Sequence, residues 1–140
     1  IPVVQIGIRS LCREESERID AESEDSLLTL FAHDLPSPEQ AASRVRDFLG
    51  PRPVYISFDA DGLDPSIMPG TGTPEPGGLS FAWLQQFWPQ LFGHSHLVGM
   101  DFCELAPLPG AGQVSESVAV RCINRILTAY LGQEVGHARS

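Results

Sequence analysis

Four short runs of apolar, β-branched and aromatic residues punctuate the chain, at Val3–Ile8, 27–32, 54–58 and 97–102. Each is apolar nearly throughout rather than alternating, the pattern expected of strands covered on both faces. The run at 27–32 fits a helical turn equally well. Helical patterns alternate with these runs. Residues 14–22 predict a first helix. Ser37-Pro38-Glu39-Gln40 is a helix start: Ser37 can cap, Pro38 suits the first turn, and Gln40 can reach back. That helix runs to Leu49, with Gly50 as its stop and Pro51 beyond. A third helix is expected over 80–87, limited by Pro89. A fourth spans 115–131, where Val118, Cys122, Ile126 and Tyr130 recur every four residues, Gly132 closes it, and 133–140 fray. The order β-α-β-α-β-loop-α-β-loop-α predicts an α/β fold, a three-layer α/β/α sandwich around a mainly parallel sheet. In such sheets chemistry gathers at the carboxyl ends of the strands.

The 140 residues are about one domain's worth of chain. An apolar fraction of 42% with 19% charged residues is globular, and no run approaches the ~18 apolar residues of a membrane span. Eighteen acids against nine bases give a net charge of −9, which argues against nucleic acid or an anionic membrane as partner. Glu14, Glu15, Glu17, Asp20, Glu22, Glu24 and Asp25 are crowded together and read as a solvated acidic face. Three cysteines, an odd number without a CxxC, predict a reduced, cytoplasmic protein without a disulfide framework, and no signal-peptide pattern is present. The chain opens on an apolar strand without a Met, which is the expectation for a partial or processed chain.

The segment after the third run carries the chemistry. Asp59 and Asp61 are two apart, so on a strand both carboxylates would lie on one side. Like charges that close are costly unless a cation or a proton lies between them. All-oxygen ligation suits a hard ion such as Mn²⁺ or Mg²⁺. Alternatively, one aspartate caps the next turn and the other is solvated. Asp64, before Pro65, reads as a turn residue. A calcium EF-hand loop is excluded, because Leu63, Asp64 and Gly70 stand where that loop needs an oxygen ligand, a glycine and a glutamate. A phosphatase of the Asp-x-Asp-Gly-Thr type remains a rival, although Leu63 replaces its hydroxyl.

The stretch from Ser57-Phe58-Asp59-Ala60-Asp61-Gly62-Leu63-Asp64-Pro65 through Pro69-Gly70-Thr71-Gly72-Thr73-Pro74-Glu75-Pro76-Gly77-Gly78-Leu79 closely resembles the signature of the ureohydrolase family, the arginases and agmatinases. Gly99-Met100-Asp101-Phe102-Cys103-Glu104-Leu105-Ala106-Pro107 resembles that family's last strand, and Gln5-Ile6-Gly7-Ile8-Arg9-Ser10 is similar to an earlier one. The resemblance implies an arginase-like fold of which residues 1–140 form the C-terminal part of a single domain, the N-terminal part being absent. It implies that Asp59 and Asp61 bind a binuclear manganese centre (Ni²⁺ being another candidate), that Glu104 pairs with the substrate guanidinium, and that Thr73 lies near it. The implied reaction is metal-assisted hydrolysis of a guanidino compound to urea and an amine, with a metal-activated water and no further catalytic side chain in this chain. The family's DAHxD-type motif, its upstream histidine and its proton-shuttle histidine have no counterpart among His33, His94, His96 and His137. His94-Ser95-His96 precedes the strand that Glu104 follows and reads as a surface loop. Gly70-Thr71-Gly72-Thr73-Pro74-Glu75-Pro76 looks more like agmatinases than arginases, and no acidic residue follows Arg9 closely. The implied substrate is therefore agmatine, with guanidinobutyrate or guanidine as alternatives. The family analogy further implies a homo-oligomer, a trimer or hexamer. The missing ligands leave open a non-catalytic remnant acting as a scaffold.

Overall fold

A computed structural model describes residues 1–23, 25–92, 96–110 and 113–137, with side chains up to residue 132 in the last helix. In chain order the elements are β1 (Val3–Ile8), α1 (Arg13–Ala21), β2 (Leu27–Phe31), α2 (Pro38–Leu49), β3 (Val54–Asp59), α3 (Phe81–Phe92), β4 (Leu97–Cys103) and α4 (Val114–His137). Short 3₁₀ turns follow β2, at Ala32–Asp34, and β3, at Ala60–Gly62.

The strands form two parallel pairs. β1 pairs with β2 from Val3↔Leu27 to Ile6↔Leu30 and then shifts, so that Ile8 meets Phe31. Gly7 makes that bulge: its φ is +88°, a region open to glycine, and a Cβ there would lie 3.1 Å from the Leu79 side chain. β3 pairs with β4, ending on Asp59↔Cys103. Arg9, just past β1, hydrogen-bonds the carbonyl of Asp61, just past β3. The carboxyl ends of both pairs therefore meet at one end of the molecule. Between β1 and β3 lies a cavity of about 300 Å³, lined by Val4, Ile6, Ile56, Phe58, Leu84 and Phe87, with Asp59 on its wall.

Among the described residues the strands hydrogen-bond as two parallel pairs, and the two faces of β3 differ. On β3, Ile56 and Phe58 are buried while Tyr55, Ser57 and Asp59 are exposed. The buried side faces α3, with α2 and α4 packed on either side of it. α1 borders a shallow cavity with Val3, Gln5 and Leu27, so it lies across β1–β2 on the face opposite Val4 and Ile6. These are the layers of an α/β/α sandwich. α1 has no buried residue, and Glu14 and Glu15 occupy its first turn, where acids suit the helix dipole. Its acidic residues face solvent, as the composition implied.

α3 is the centre of the core. Phe87 is fully buried, with ring centroids 4.8 Å from Trp83 and 4.9 Å from Trp88, and Phe58 stacks on Phe102 at 5.0 Å. The expected stop at Pro89 does not occur, and the helix continues through Phe92. A proline at this position cannot donate to the carbonyl four residues back, that of Gln85. Arg125 of α4 replaces the lost donor, with Nε at 3.1 Å and Nη2 at 2.6 Å from that oxygen. Leu91 and Phe92 beyond the proline are buried, which rewards continuing the helix. α4 likewise runs past Gly132 to His137, since one glycine in a helix costs only about 1 kcal/mol. The capping box of α2 forms as expected: Gln40 N–H donates to Ser37 Oγ and Ser37 N–H to Gln40 Oε1, both at 3.3 Å, and Gly50 ends the helix with φ +59°. Among the described residues no helix is long and apolar enough to cross a membrane.

The Gly/Pro loop between β3 and α3 is cinched at its base. Asp64 N–H donates to Leu79 O at 3.1 Å, and Leu79 N–H to Gly62 O at 2.9 Å. Asp64 Oδ2 accepts from Gly77 N–H at 2.9 Å and Gly78 N–H at 3.2 Å, and Oδ1 accepts from Ser66 N–H at 3.0 Å. Asp64 is the turn residue that its sequence position implied. Hydrogen bonds from the side chain and backbone of Ser66, then from Gly77 and Gly78, hold its carboxyl down from 3.8 to about 2. A Cβ on Gly78 would lie 2.6 Å from Asp64 N, so the clasp needs glycine there.

Two outcomes follow for stability. Gly78→Ala should destabilise the fold by about 1–3 kcal/mol through this overlap, measured by denaturant unfolding. Asp64 is ionised in both states above about pH 5, so its stabilisation is complete there. It is lost as pH falls towards about 2, where the unfolded chain binds the proton first. Asp64→Asn should flatten the stability profile in that window; an unchanged slope would show that the clasp contributes nothing.

Candidate functional site at the carboxyl ends of β3 and β4

Asp59 is the last residue of β3, and its Oδ1 accepts the N–H of Asp61 at 2.8 Å. This bond starts the 3₁₀ turn and lifts Asp61 off the strand. The two aspartates are therefore brought near one another by a turn, not by strand alternation, because Ala60 between them is drawn fully into the core. Asp59 does cap the turn. Asp61 is not merely solvated: the Thr71 hydroxyl hydrogen-bonds its Oδ1 and the Thr73 hydroxyl its Oδ2.

Thr71 also joins the two strand ends. Its buried hydroxyl lies 2.9 Å from Glu104 O, and Ala106 N–H donates to Gly70 O at 2.9 Å. Gly70 N–H donates to Ser115 Oγ at 2.8 Å, which ties the loop to the start of α4. A Cβ at Gly70 would come within 2.7 Å of that oxygen. Glu104, directly after β4, has φ +58°, a left-handed conformation uncommon for a non-glycine residue. Its carboxylate reaches back over Gly72, with Oε2 3.5 Å from where a Cβ would stand. Thus the structure gathers Asp59, Asp61, Thr73 and Glu104 at one end of the β3–β4 pair. Thr71 was not singled out from the sequence; the signal was present in Thr71-Gly72-Thr73, two hydroxyls at the spacing that lets them hold the two oxygens of one carboxylate.

The surroundings are polar, with Arg9 the nearby base among the described residues. Cys103, opposite Asp59 on β4, has its thiol pushed up by burial and by the Asp59 charge. Asp101 is engaged on the strand face, accepting from Ser57 Oγ at 2.9 Å and Tyr55 OH at 3.0 Å, and that carboxylate raises the Tyr55 hydroxyl. Arg9 reaches in from β1 and, among the described residues, donates to the backbone carbonyls of Gly7, Asp61, Leu63 and Glu75. The two histidines whose side chains are described lie elsewhere. The His33 ring stands 5.5 Å from Phe31, and His96, with Nδ1 2.9 Å from Tyr130 OH, is at the opposite end of β4 from Glu104. His94 and Ser95 of the His-Ser-His loop lie outside the described residues, as does the His137 side chain.

Among the described residues no group of three His, Cys, Asp or Glu side chains is placed to hold a metal ion. Asp59 and Asp61 nevertheless present hard oxygen donors of the kind that Mn²⁺ or Mg²⁺ prefers. Two carboxylates alone do not complete a metal's ligand set. Glu104, an anionic acceptor beside neutral hydroxyls, suits a planar cation with forked donors. Such a corner can bind cations and a guanidinium; its one nearby cation among the described residues, Arg9, is engaged with backbone carbonyls.

The model of the Arginase family matches residues 2–129. An N(1)-aminopropylagmatine ureohydrolase of Thermus thermophilus is 42% identical over 106 residues, covering 76% of this chain and 35% of the relative. The crystal structure of a hypothetical agmatinase from Burkholderia thailandensis superimposes with a TM-score of 0.78 at 30% identity, covering 95% of this chain and 40% of the other. Arginase from Bacillus subtilis gives a TM-score of 0.78 at 27% identity, over 89% of this chain and 43% of that one. The chain thus spans about 35% of the length of that ureohydrolase. With a family match along nearly all of its length and the arginase-type fold in its strands and helices, this chain belongs to the arginase family.

Proposed function

We propose that residues 1–140 form the C-terminal part of a longer ureohydrolase domain that hydrolyses a guanidino compound, agmatine foremost, to urea and an amine. The observation that carries this reading is the convergence of Asp59, Asp61, Thr73 and Glu104 at the carboxyl ends of β3 and β4. The relatives' names support the substrate class: agmatinase, and a ureohydrolase of N(1)-aminopropylagmatine.

Asp59 and Asp61 would hold a pair of Mn²⁺ ions together with donors from the rest of the domain; Ni²⁺ fits the same oxygens less well. Two such cations, when bound, supply a water acidic enough to be hydroxide near neutral pH. The remaining steps belong to this chain. Thr71 and Thr73 fix both oxygens of Asp61, so that carboxylate cannot swing when its charge is engaged. Glu104 accepts two N–H bonds from one edge of the guanidinium, which orients its carbon and balances its charge. Thr73, whose hydroxyl donates to Asp61 Oδ2, would lie near the guanidinium, as the resemblance implies. The phosphatase alternative loses ground because Leu63, where that motif needs a hydroxyl, is only 1% exposed and packs in the core. By family analogy the assembly is a homo-oligomer.

The full-length protein with Mn²⁺ should release urea from agmatine, with N(1)-aminopropylagmatine as the second substrate tested. Asp59→Asn and Asp61→Asn should each lower kcat/KM by roughly 100-fold or more, since several kcal/mol of charge stabilisation rest on the ions they hold. Urea release undiminished in either variant would reject the site. Glu104→Gln should cost about 1.5–3 kcal/mol, the worth of a charged hydrogen bond, expressed as a raised KM at unchanged Mn²⁺ affinity. Failure of the wild-type protein to release urea from either compound, with Mn²⁺ or Ni²⁺, would favour a scaffold role instead.

A further inference from the structure

Arg9 lies half-buried just beyond the end of β1, and its hydrogen bonds all go to main-chain oxygens. Nε and Nη2 both donate to Glu75 O, at 3.0 and 2.9 Å. Nη1 donates to Gly7 O at 3.2 Å. Nη2 also donates to Asp61 O and faces Leu63 O at 3.5 Å. Among the described residues Arg9 forms no ion pair, so its charge is spread over these carbonyl dipoles.

The targets of those bonds are not arbitrary. Asp61 is gripped twice: its carboxylate by the Thr71 and Thr73 hydroxyls, its carbonyl by Arg9. Glu75, two residues past Thr73, is gripped by the same guanidinium. One rigid planar group therefore fixes both ends of the Asp61–Thr73 contact, the turn that carries the carboxylate and the loop that carries the hydroxyl. The bulge at Gly7 sets this up, since it re-aims β1 and turns the Gly7 carbonyl onto Nη1.

We propose that Arg9 is a positioning residue for the metal-binding carboxylate of Asp61, acting through the Asp61 and Glu75 backbones rather than by touching metal or substrate. The proposal rests on the reading of Asp61 as a metal ligand. A lysine cannot replace it, because an ammonium is a compact charge without the fork that spans two carbonyls. Groups that orient a ligand from behind are typically worth about 10–100-fold in metal affinity or activity.

The test uses full-length protein, metal-free and then titrated with Mn²⁺ alone, with free Mn²⁺ followed by electron paramagnetic resonance and thermal melting recorded in parallel. Arg9→Met, which keeps the aliphatic stem, should raise the Mn²⁺ dissociation constant by about 10–100-fold. At Mn²⁺ concentrations that saturate the variant, KM for agmatine should stay near the wild-type value, because Glu104 is untouched. Mn²⁺ affinity within threefold of wild type would overturn the proposal, whatever happens to the melting temperature. If Arg9→Met does not fold, Arg9→Lys decides in the same titration: weakened Mn²⁺ binding supports the fork, and wild-type binding refutes it. The two readings fail separately. A wild-type protein that binds Mn²⁺ but releases no urea defeats the substrate assignment alone, whereas an active wild type with Arg9 variants of undiminished Mn²⁺ affinity defeats the Arg9 assignment alone.

Discussion

A carboxylate at the end of a strand is aimed only by what its oxygens and its own backbone touch, and at Asp61 both are fixed. Thr71 and Thr73 take its two oxygens, and Arg9 takes its carbonyl. Much else is arranged around that grip. The Asp64 clasp closes the loop that carries the threonines, Gly70 presses that loop against Ser115 of α4, and the Thr71 hydroxyl reaches the backbone of Glu104. The loop is long and rich in glycine and proline, but these bonds leave it few alternative paths.

Much of the fold was legible along the chain because the helix and strand signals are local. The Ser37–Gln40 box, the Gly50 stop and the four apolar runs all became elements at or near their expected bounds. The end misjudged at Pro89 has a tertiary cause invisible to a local reading. Pro89 should stop α3, yet Arg125, far along the chain, supplies the missing donor to Gln85. Gly132 should close α4, and the helix runs through it. Within this chain β3 alternates, with Ile56 and Phe58 buried and the Tyr55 and Ser57 hydroxyls bonded to Asp101 on the other face.

The site was legible as a set of residue types and only partly as geometry. Asp59, Asp61 and Thr73 stood out in the stretch 57–79, and Glu104 in the separate stretch 99–107. Their arrangement did not, since strand alternation was the wrong rule for Asp61: the Asp59 cap turns the backbone before that residue is reached. Thr71 and Arg9 escaped notice for a related reason. Their contacts are with a carboxylate and carbonyls 10 and 52 residues away in sequence, and pairing at that range leaves no local pattern.

The backbone of Glu104 has a consequence of its own. A non-glycine residue at φ +58° carries a conformational penalty of about 1–3 kcal/mol, and glycine would adopt that angle freely. The chain keeps a charged side chain in a place where the smallest residue would relax the backbone. Folding stability and the presence of an anion over Gly72 are therefore opposed at this position, and a selection for thermal robustness alone would drift towards discarding the very group that the β4 terminus holds out to solvent.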